Sequence, residues 1–147
     1  MRLAFGSSVR LLAVAGVLAA LGAAVHVASA GSQPGAASVA NVRERDFAIV
    51  APRHIAAGNV VLHVYNRGPD RHELIIVKTR NGRLPLRADG LTVDEARVEA
   101  STVAALEPGR PGSRRELSFH ATPGVYVLFC NMYGHYLGGM RSVLVVR

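Results

Sequence analysis

Cysteine is almost absent from this chain of 147 residues, since Cys130 is the only one. A single cysteine excludes an internal disulfide, and it also excludes the cysteine-rich ligand sets of iron–sulfur clusters. An unpaired thiol persists in an oxidising compartment when it is buried and inert or when it binds a metal. The residues that follow Cys130 therefore decide what kind of protein this is.

Acidic residues are also few, with 10 against 17 basic ones and a formal net charge of +7. The arginines are scattered, and no zinc-finger, helix-turn-helix or aromatic RNA-binding signature accompanies them, so we expect no nucleic-acid partner. An acidic protein partner would use this charge, and a plain solvated surface explains it equally well.

The N-terminus has the pattern of a secretory signal peptide. Arg2 and Arg10 supply positive charge before an apolar run from Leu11 to Val25, and 28–30 supply the small residues of a cleavage site. The apolar run is shorter than the roughly 20 residues of a membrane span. We predict a signal peptide over 1–30 and a periplasmic or otherwise extracytoplasmic protein; the alternative is an uncleaved segment that tethers it to the membrane. Cleavage removes two of the 17 basic residues and no acidic one, which leaves a net charge of about +5.

Residues 31–38 predict a flexible linker, and 39–147 predict one domain of short β-strands. Glycine and proline turns separate the strands, which are predicted at 46–50, 59–66, 72–78, 115–120, 125–130 and 141–147. Between 79 and 109 the pattern is interrupted. There Thr92 and Glu95 have capping-box spacing, and 96–105 contains several good helix formers. The prediction is an all-β sandwich with one short helical excursion.

The loop from 130 to 140 carries a thiolate, an imidazole and a thioether in Cys130, His135 and Met140. Two histidines and a cysteine in a trigonal plane, with a weak axial methionine, form the copper site of electron-transfer proteins. Zinc seldom uses methionine and prefers more cysteine or histidine. The fourth ligand should be a histidine far upstream. Four histidines of the predicted domain lie upstream of the loop: His54, His63, His72 and His120.

Three segments resemble the cupredoxins, the blue (type 1) copper family: Val64–Gly68, His72–Leu74 and Pro123–Cys130 continuing to Met140. The C-x4-H-x4-M spacing is similar to that of rusticyanin-like and sulfocyanin-like members. The resemblance implies a Greek-key β-sandwich and one type 1 copper per chain, with ligands His72, Cys130, His135 and Met140. Glu73 departs from the pattern, because many members carry asparagine or serine after the first histidine.

A site with four protein ligands has no open position for a substrate, so we expect an electron carrier and not an enzyme. The chain also lacks the His-x-His motif of multicopper enzymes and the second loop cysteine of a dinuclear copper centre. The resemblance implies electron exchange at the His135 edge with redox partner proteins such as a cytochrome or an oxidase. An apolar patch of Met132, Tyr133, Tyr136 and Leu137 is the candidate docking surface. The alternatives are a copper carrier or chaperone of the cell envelope, or an assembly factor for a respiratory complex.

Overall fold

The computed structural model of the protein describes residues 36–147. The predicted signal peptide and the first residues of the predicted linker lie outside this range. The first strand begins at Ser38, the last residue of that linker. Among the described residues, no helix has the length and apolar character needed to cross a membrane.

Two β-sheets form the described part of the chain. Their strands are β1 Ser38–Arg45, β2 Ala48–Val50, β3 His54–Ile55, β4 Gly58–Asn66, β5 His72–Thr79, β6 Thr102–Gly109, β7 Arg114–Ala121, β8 Gly124–Phe129 and β9 Arg141–Val146. One sheet has the order β2-β1-β4-β7 and the other β3-β9-β8-β5-β6. The pairs β1–β4 and β3–β9 are parallel, and the remaining pairs are antiparallel. The predicted all-β Greek-key sandwich is confirmed.

The main core lies between the sheets, where alternate residues of each strand point inward. In β4 the buried apolar positions are Val60, Leu62 and Val64, and the residues between them are more exposed. In β8 every residue from Tyr126 to Phe129 is buried, because this central strand is covered on both faces. Cys130 and Met140 belong to this core, so the predicted ligand loop begins and ends inside the sandwich.

The second face of β8 is covered by the excursion between β5 and β6. Apolar side chains of the excursion, β5, β8 and the 130–140 loop form a smaller cluster, whose buried members are Ile75, Val77, Val93, Val98, Val127, Phe129 and Tyr136. The helix α1, Glu95–Val98, supplies Val98 and is followed by a 3-10 turn over Glu99–Ser101. The excursion is thus a cover that extends the core to the outer side of the five-stranded sheet.

The local prediction for the excursion was partly wrong. Helix was predicted within 96–105, but the chain is extended from Thr102 and forms β6 beside β5. Tertiary pairing overrides the helix propensity of Ala104 and Ala105. The capping box is also absent, since Asp94 is the N-cap and makes no side-chain capping hydrogen bond. The pairing of 59–66 with 72–78, left open by the sequence, is decided: β4 and β5 lie in different sheets.

Candidate metal centre

His72 is the first residue of β5 and is completely buried. The register between β5 and β6 shifts between His72 and Leu74, an irregularity of the kind that re-aims side chains at sheet edges. The ring atom Nε2 lies 2.9 Å from Oδ1 of Asp46. The other ring nitrogen, Nδ1, is buried and has no hydrogen-bond partner among the described residues.

The 130–140 loop is held in shape by its own backbone. The amide of Cys130 donates to the carbonyl of Met140 at 3.1 Å, and the amide of Met140 donates to the carbonyl of His135 at 2.9 Å. The amide of His135 in turn donates to the carbonyl of Met132 at 2.9 Å. These bonds close the loop into compact turns, so Cys130, His135 and Met140 are brought together by local structure.

Ligand atoms of His72, Cys130 and His135 all lie within 4.8 Å of one another. Sγ of Cys130 is 3.5 Å from Nδ1 of His135, and the two histidine rings have centroids 5.2 Å apart. His135 is 9% exposed, whereas His72, Cys130 and Met140 are fully buried. The three side chains are therefore positioned to form a copper site, with one histidine edge near the surface.

The other candidate histidines lie elsewhere. His54 is exposed in β3. His63 is exposed on β4, 3.5 Å from Glu116, and Nδ1 of His120 is 3.2 Å from Oδ1 of Asn59. Sequence composition could not separate these residues from His72, but the position of His72 in the family pattern did.

The donor set fits copper. A buried imidazole nitrogen without a partner is costly unless a ligand occupies it, and Nδ1 of His72 is such an atom in a ring that lies beside the other two donors. Burial raises the pKa of the Cys130 thiol to about 11, against the opposing effect of hydrogen bonds from the Met132 and Glu73 amides. Burial, and then the nearby His135, lower the pKa of His72, which favours the neutral imidazole. A soft thiol and neutral imidazoles form a set that suits copper, and the thiol proton leaves when the metal binds.

Asn131, directly after Cys130, connects the ligand loop to the excursion. Its backbone amide donates to Oε1 of Glu73 at 3.0 Å. Its side-chain amide accepts from the Val93 amide at 2.6 Å and donates to the Val93 carbonyl at 3.0 Å and to Glu95. Burial raises the pKa of Glu73. Asn131 was not among the residues predicted from the sequence, because its partners are 36 to 58 residues away in the chain.

The turn between β1 and β2 lies against both histidines. It consists of Asp46, which is bonded to His72, and Phe47, whose ring makes an edge contact with His135 at a centroid distance of 5.7 Å. Gly68 and Gly138 leave room for it: a Cβ at Gly68 would lie 2.5 Å from Oδ1 of Asp46, and one at Gly138 would collide with the Phe47 ring. Asp46 and Phe47 were predicted to begin a strand over 46–50, which was wrong, because β2 begins at Ala48. Aspartate is a common turn residue.

The surface beside His135 is apolar. Tyr133 is 77% exposed, Phe47 54% and Leu137 53%. Tyr136 was predicted to belong to this patch, but that prediction was wrong, because its ring is buried against Phe129 at 5.6 Å in the second cluster. Met132 is only partly buried and packs against the main core. Phe47, Tyr133 and Leu137 are called the apolar patch below.

Three arginines meet on the outer face of the four-stranded sheet. The guanidinium carbons of Arg114 and Arg67 lie 4.4 and 5.0 Å from the ring centroid of Tyr65. Arg43 is the cross-strand neighbour of Tyr65 on its other side. We call Arg43, Arg67 and Arg114 the arginine cluster. It lies near the metal end of the sheet, since Arg67 precedes the Gly68 that contacts Asp46 and His72.

The structure of this chain is similar to solved structures of auracyanins, an azurin and rusticyanin. Auracyanin from Roseiflexus castenholzii has a TM-score of 0.58 and 24% identity, over 77% of this chain and 99% of its own. Rusticyanin from Thiobacillus ferrooxidans has a TM-score of 0.54 and 17% identity, over 74% of this chain and 77% of its own. An azurin from Methylomonas sp. strain J has a TM-score of 0.53 and 16% identity, over 74% of this chain and 97% of its own.

No protein-family profile and no curated protein matches the sequence. The likeness to the solved structures confirms the cupredoxin fold inferred from the sequence motifs.

Proposed function

We propose that this protein is an exported mononuclear blue copper protein that carries single electrons between redox partners. The observation that carries the proposal is the convergence of His72, Cys130 and His135 within 4.8 Å around an unpartnered buried nitrogen. Met140, buried in the same core and bonded through its backbone to Cys130 and His135, is the proposed axial ligand. The set then matches the His2Cys plane with a weak axial methionine.

Bound copper would supply a one-electron Cu(II)/Cu(I) couple, with no position left for a substrate. The protein contributes a rigid setting for that couple. Backbone hydrogen bonds hold the 130–140 loop. Asn131 attaches this loop to the excursion, and Asp46 attaches His72 to the β1–β2 turn. Since His72 and the loop that carries the other donors are each held by further contacts, both oxidation states could be bound with little movement. This arrangement supports electron transfer over catalysis.

The apolar patch is the proposed docking surface for redox partners. It surrounds the only ligand residue with an exposed edge, His135, so a partner seated there approaches the metal through one imidazole. Phe47, Tyr133 and Leu137 provide a mainly apolar surface, which a partner can dehydrate at little cost.

Replacement of Leu137 by aspartate tests this surface. The change places a charge in the centre of the apolar patch and should slow electron exchange with a partner about tenfold or more, with the copper spectrum unchanged. Stopped-flow exchange between the protein and a small c-type cytochrome measures the rate. Val143→Asp is the control, since Val143 is 45% exposed and lies in β9 outside the patch. Equal rates for both variants would remove the patch from the proposal.

Because of the arginine cluster, the redox partners that we propose are acidic proteins. Its guanidinium groups adjoin the metal end of the molecule, and no carboxylate of the described residues forms an ion pair with them. Unpaired positive charge near the transfer edge would steer an acidic cytochrome or oxidase toward the site.

The proposed location is the periplasm or another extracytoplasmic compartment, reached through a signal peptide cleaved after Ala30. The N-terminal sequence pattern supports it, and the intact mass of the exported protein tests it. A mass that includes Met1 would instead indicate a membrane-tethered form.

An absorption spectrum of the mature protein after addition of Cu(II) tests the function, with Cys130→Ser as control. We expect an intense thiolate-to-copper band near ~600 nm that the control lacks. A colourless protein that binds Cu(I) tightly would support the alternative of a copper carrier. A protein without affinity for copper would overturn both.

A further inference from the structure

The β1–β2 turn presents an acid to the metal centre from outside the ligand loop. Oδ1 of Asp46 lies 2.9 Å from Nε2 of His72, and the ring itself has no exposed surface. Asp46 is 25% exposed, so the carboxylate faces solvent on one side and the imidazole on the other. Asp46 therefore contacts the ring of a proposed ligand directly, although the strands on either side of it, β1 and β2, contain no proposed ligand.

The contact determines which ring nitrogen points inward. A carboxylate accepts and does not donate, so Nε2 must carry the proton and Nδ1 must offer a lone pair. Nδ1 is the buried atom without a partner, and a ring nitrogen of His72 lies within 4.8 Å of the ligand atoms of Cys130 and His135. With Nε2 bonded to Asp46, Nδ1 is the nitrogen left to bind a metal. The geometry is that of a carboxylate–histidine–metal series, in which the outer acid orients the ring and increases its basicity.

The turn is built to hold this acid in place. The Gly68 amide donates to Oδ1 of Asn66 at 2.9 Å, which fixes the loop beneath Asp46. The absence of a side chain at Gly68 lets Asp46 and His72 meet. On the other side Phe47, at φ +61°, packs on Gly138 and His135. A non-glycine residue in this left-handed conformation is held there by surrounding contacts.

We propose that Asp46 is a positioning residue that acts through His72 and lowers the reduction potential of the centre. This inference depends on the proposed copper function. A full negative charge behind a ligand stabilises Cu(II) more than Cu(I), since the oxidised centre carries the greater positive charge. A neutral acceptor in the same place would orient the ring equally and provide less of this electrostatic preference.

Asp46→Asn is the decisive variant, because the amide oxygen can still accept from Nε2 while the charge is lost. We expect the 600 nm band to persist and the potential to rise. The ratio of Cu(I) to Cu(II) affinity should increase about tenfold, which is ~59 mV for one electron. Spectroelectrochemical titration of the mature copper-loaded protein at one fixed pH measures it.

Asp70→Asn is the matched control. Asp70 also acts on His72 electrostatically, but no described residue bonds to its side chain, and only its carbonyl accepts, from Asn66. Its replacement should shift the potential by less than a third of the Asp46→Asn effect. Equal shifts would show that general charge and not the His72 contact matters, and an unshifted Asp46→Asn with the band intact would overturn the proposal directly.

Nuclear magnetic resonance of the unmodified Cu(I) protein provides an independent check if Asp46→Asn fails to fold or to bind copper. We expect a slowly exchanging His72 Nε2–H proton with a downfield shift. A His72 ring that lacks this proton would refute the inference whatever the variants do. Absence of the blue band in the unmodified protein is a different result, since it contradicts the proposed function itself.

Discussion

At the scale of single residues, Glu44 and Arg115 form a largely buried ion pair, and Glu44 lies two positions before Asp46 in the chain. Glu44 is completely buried in β1, and its Oε2 lies 2.5 Å from a guanidinium nitrogen of Arg115, whose side chain is 16% exposed. The second carboxylate oxygen, Oε1, has no partner among the described residues. Burial raises the pKa of Glu44 to about 7, although Arg115 acts in the opposite direction.

This raised pKa predicts a pH-dependent stability. Between about pH 4.5 and 7 the folded state holds a proton on Glu44 that the unfolded state has lost, so the free energy of unfolding decreases as the pH rises. The decrease is at most about 3 kcal/mol over this interval. Urea denaturation of the copper-loaded protein at several pH values should show this slope. Glu44→Gln should reduce the slope and leave the part of the same sign that the raised pKa of Glu73 contributes.

Glu116→Gln is the control for Glu44→Gln. Glu116 is exposed beside His63, where an ion pair contributes about 0–1 kcal/mol, so its variant should follow the parent protein. Parallel pH profiles for the parent and Glu44→Gln would show that Glu44 is ionised throughout and that Arg115 compensates fully for its burial.

At the scale of elements, the excursion between β5 and β6 connects to the ligand loop through one side chain. Asn131 satisfies both the amide and the carbonyl of Val93, and Val93 is completely buried in the second cluster. The excursion and the 130–140 loop are therefore held together by the hydrogen bonds of Asn131, although they are separated in the chain. This connection assigns a structural role to a segment that the sequence left unexplained.

Asn131→Ala should disturb both elements together. It leaves two buried backbone groups of Val93 unsatisfied, at a cost of about 1–3 kcal/mol each, less whatever water recovers. We expect a lower urea midpoint and faster hydrogen exchange at the Val93 amide. Asn59→Ala is the control, because Asn59 is exposed and bonds only to exposed His120 in the described structure. Loss of stability without faster exchange at Val93 would show that the excursion does not depend on Asn131.

At the scale of the whole molecule, charge and apolar surface are arranged around the same end. The arginine cluster lies on the outer face of the four-stranded sheet, and the apolar patch surrounds His135. A partner that approaches this end meets attraction over a distance of about one Debye length, ~8–10 Å at physiological salt, before apolar contact forms. Long-range steering and short-range docking would then act in sequence.

The double variant Arg43→Gln/Arg114→Gln tests the steering. Oxidation of the reduced protein by hexacyanoferrate(III), a small polyanion, should slow as ionic strength rises, and the variant should show a lower rate at low salt and a weaker salt dependence. Arg80→Gln/Arg83→Gln removes the same charge from exposed positions of the excursion. If both double variants behave alike, net charge and not the arginine cluster determines the rate.

The sequence by itself determined the ligand loop and the fold class. Cys130, His135 and Met140 are close in the chain, and their positions depend on local turns that glycine-rich spacing predicts. Alternating and β-branched strands likewise indicate a sandwich, because a sheet with one buried face needs this pattern.

Only the tertiary structure decided the surroundings of the site. Asp46, Phe47 and Asn131 contact partners 26 to 88 residues away. The strand β6, predicted as helix, and the placement of Arg43 and Arg114 beside Tyr65 likewise depend on residues distant in the chain. Such contacts depend on which strands pair and in what register, and a single sequence does not encode that pairing as a local pattern.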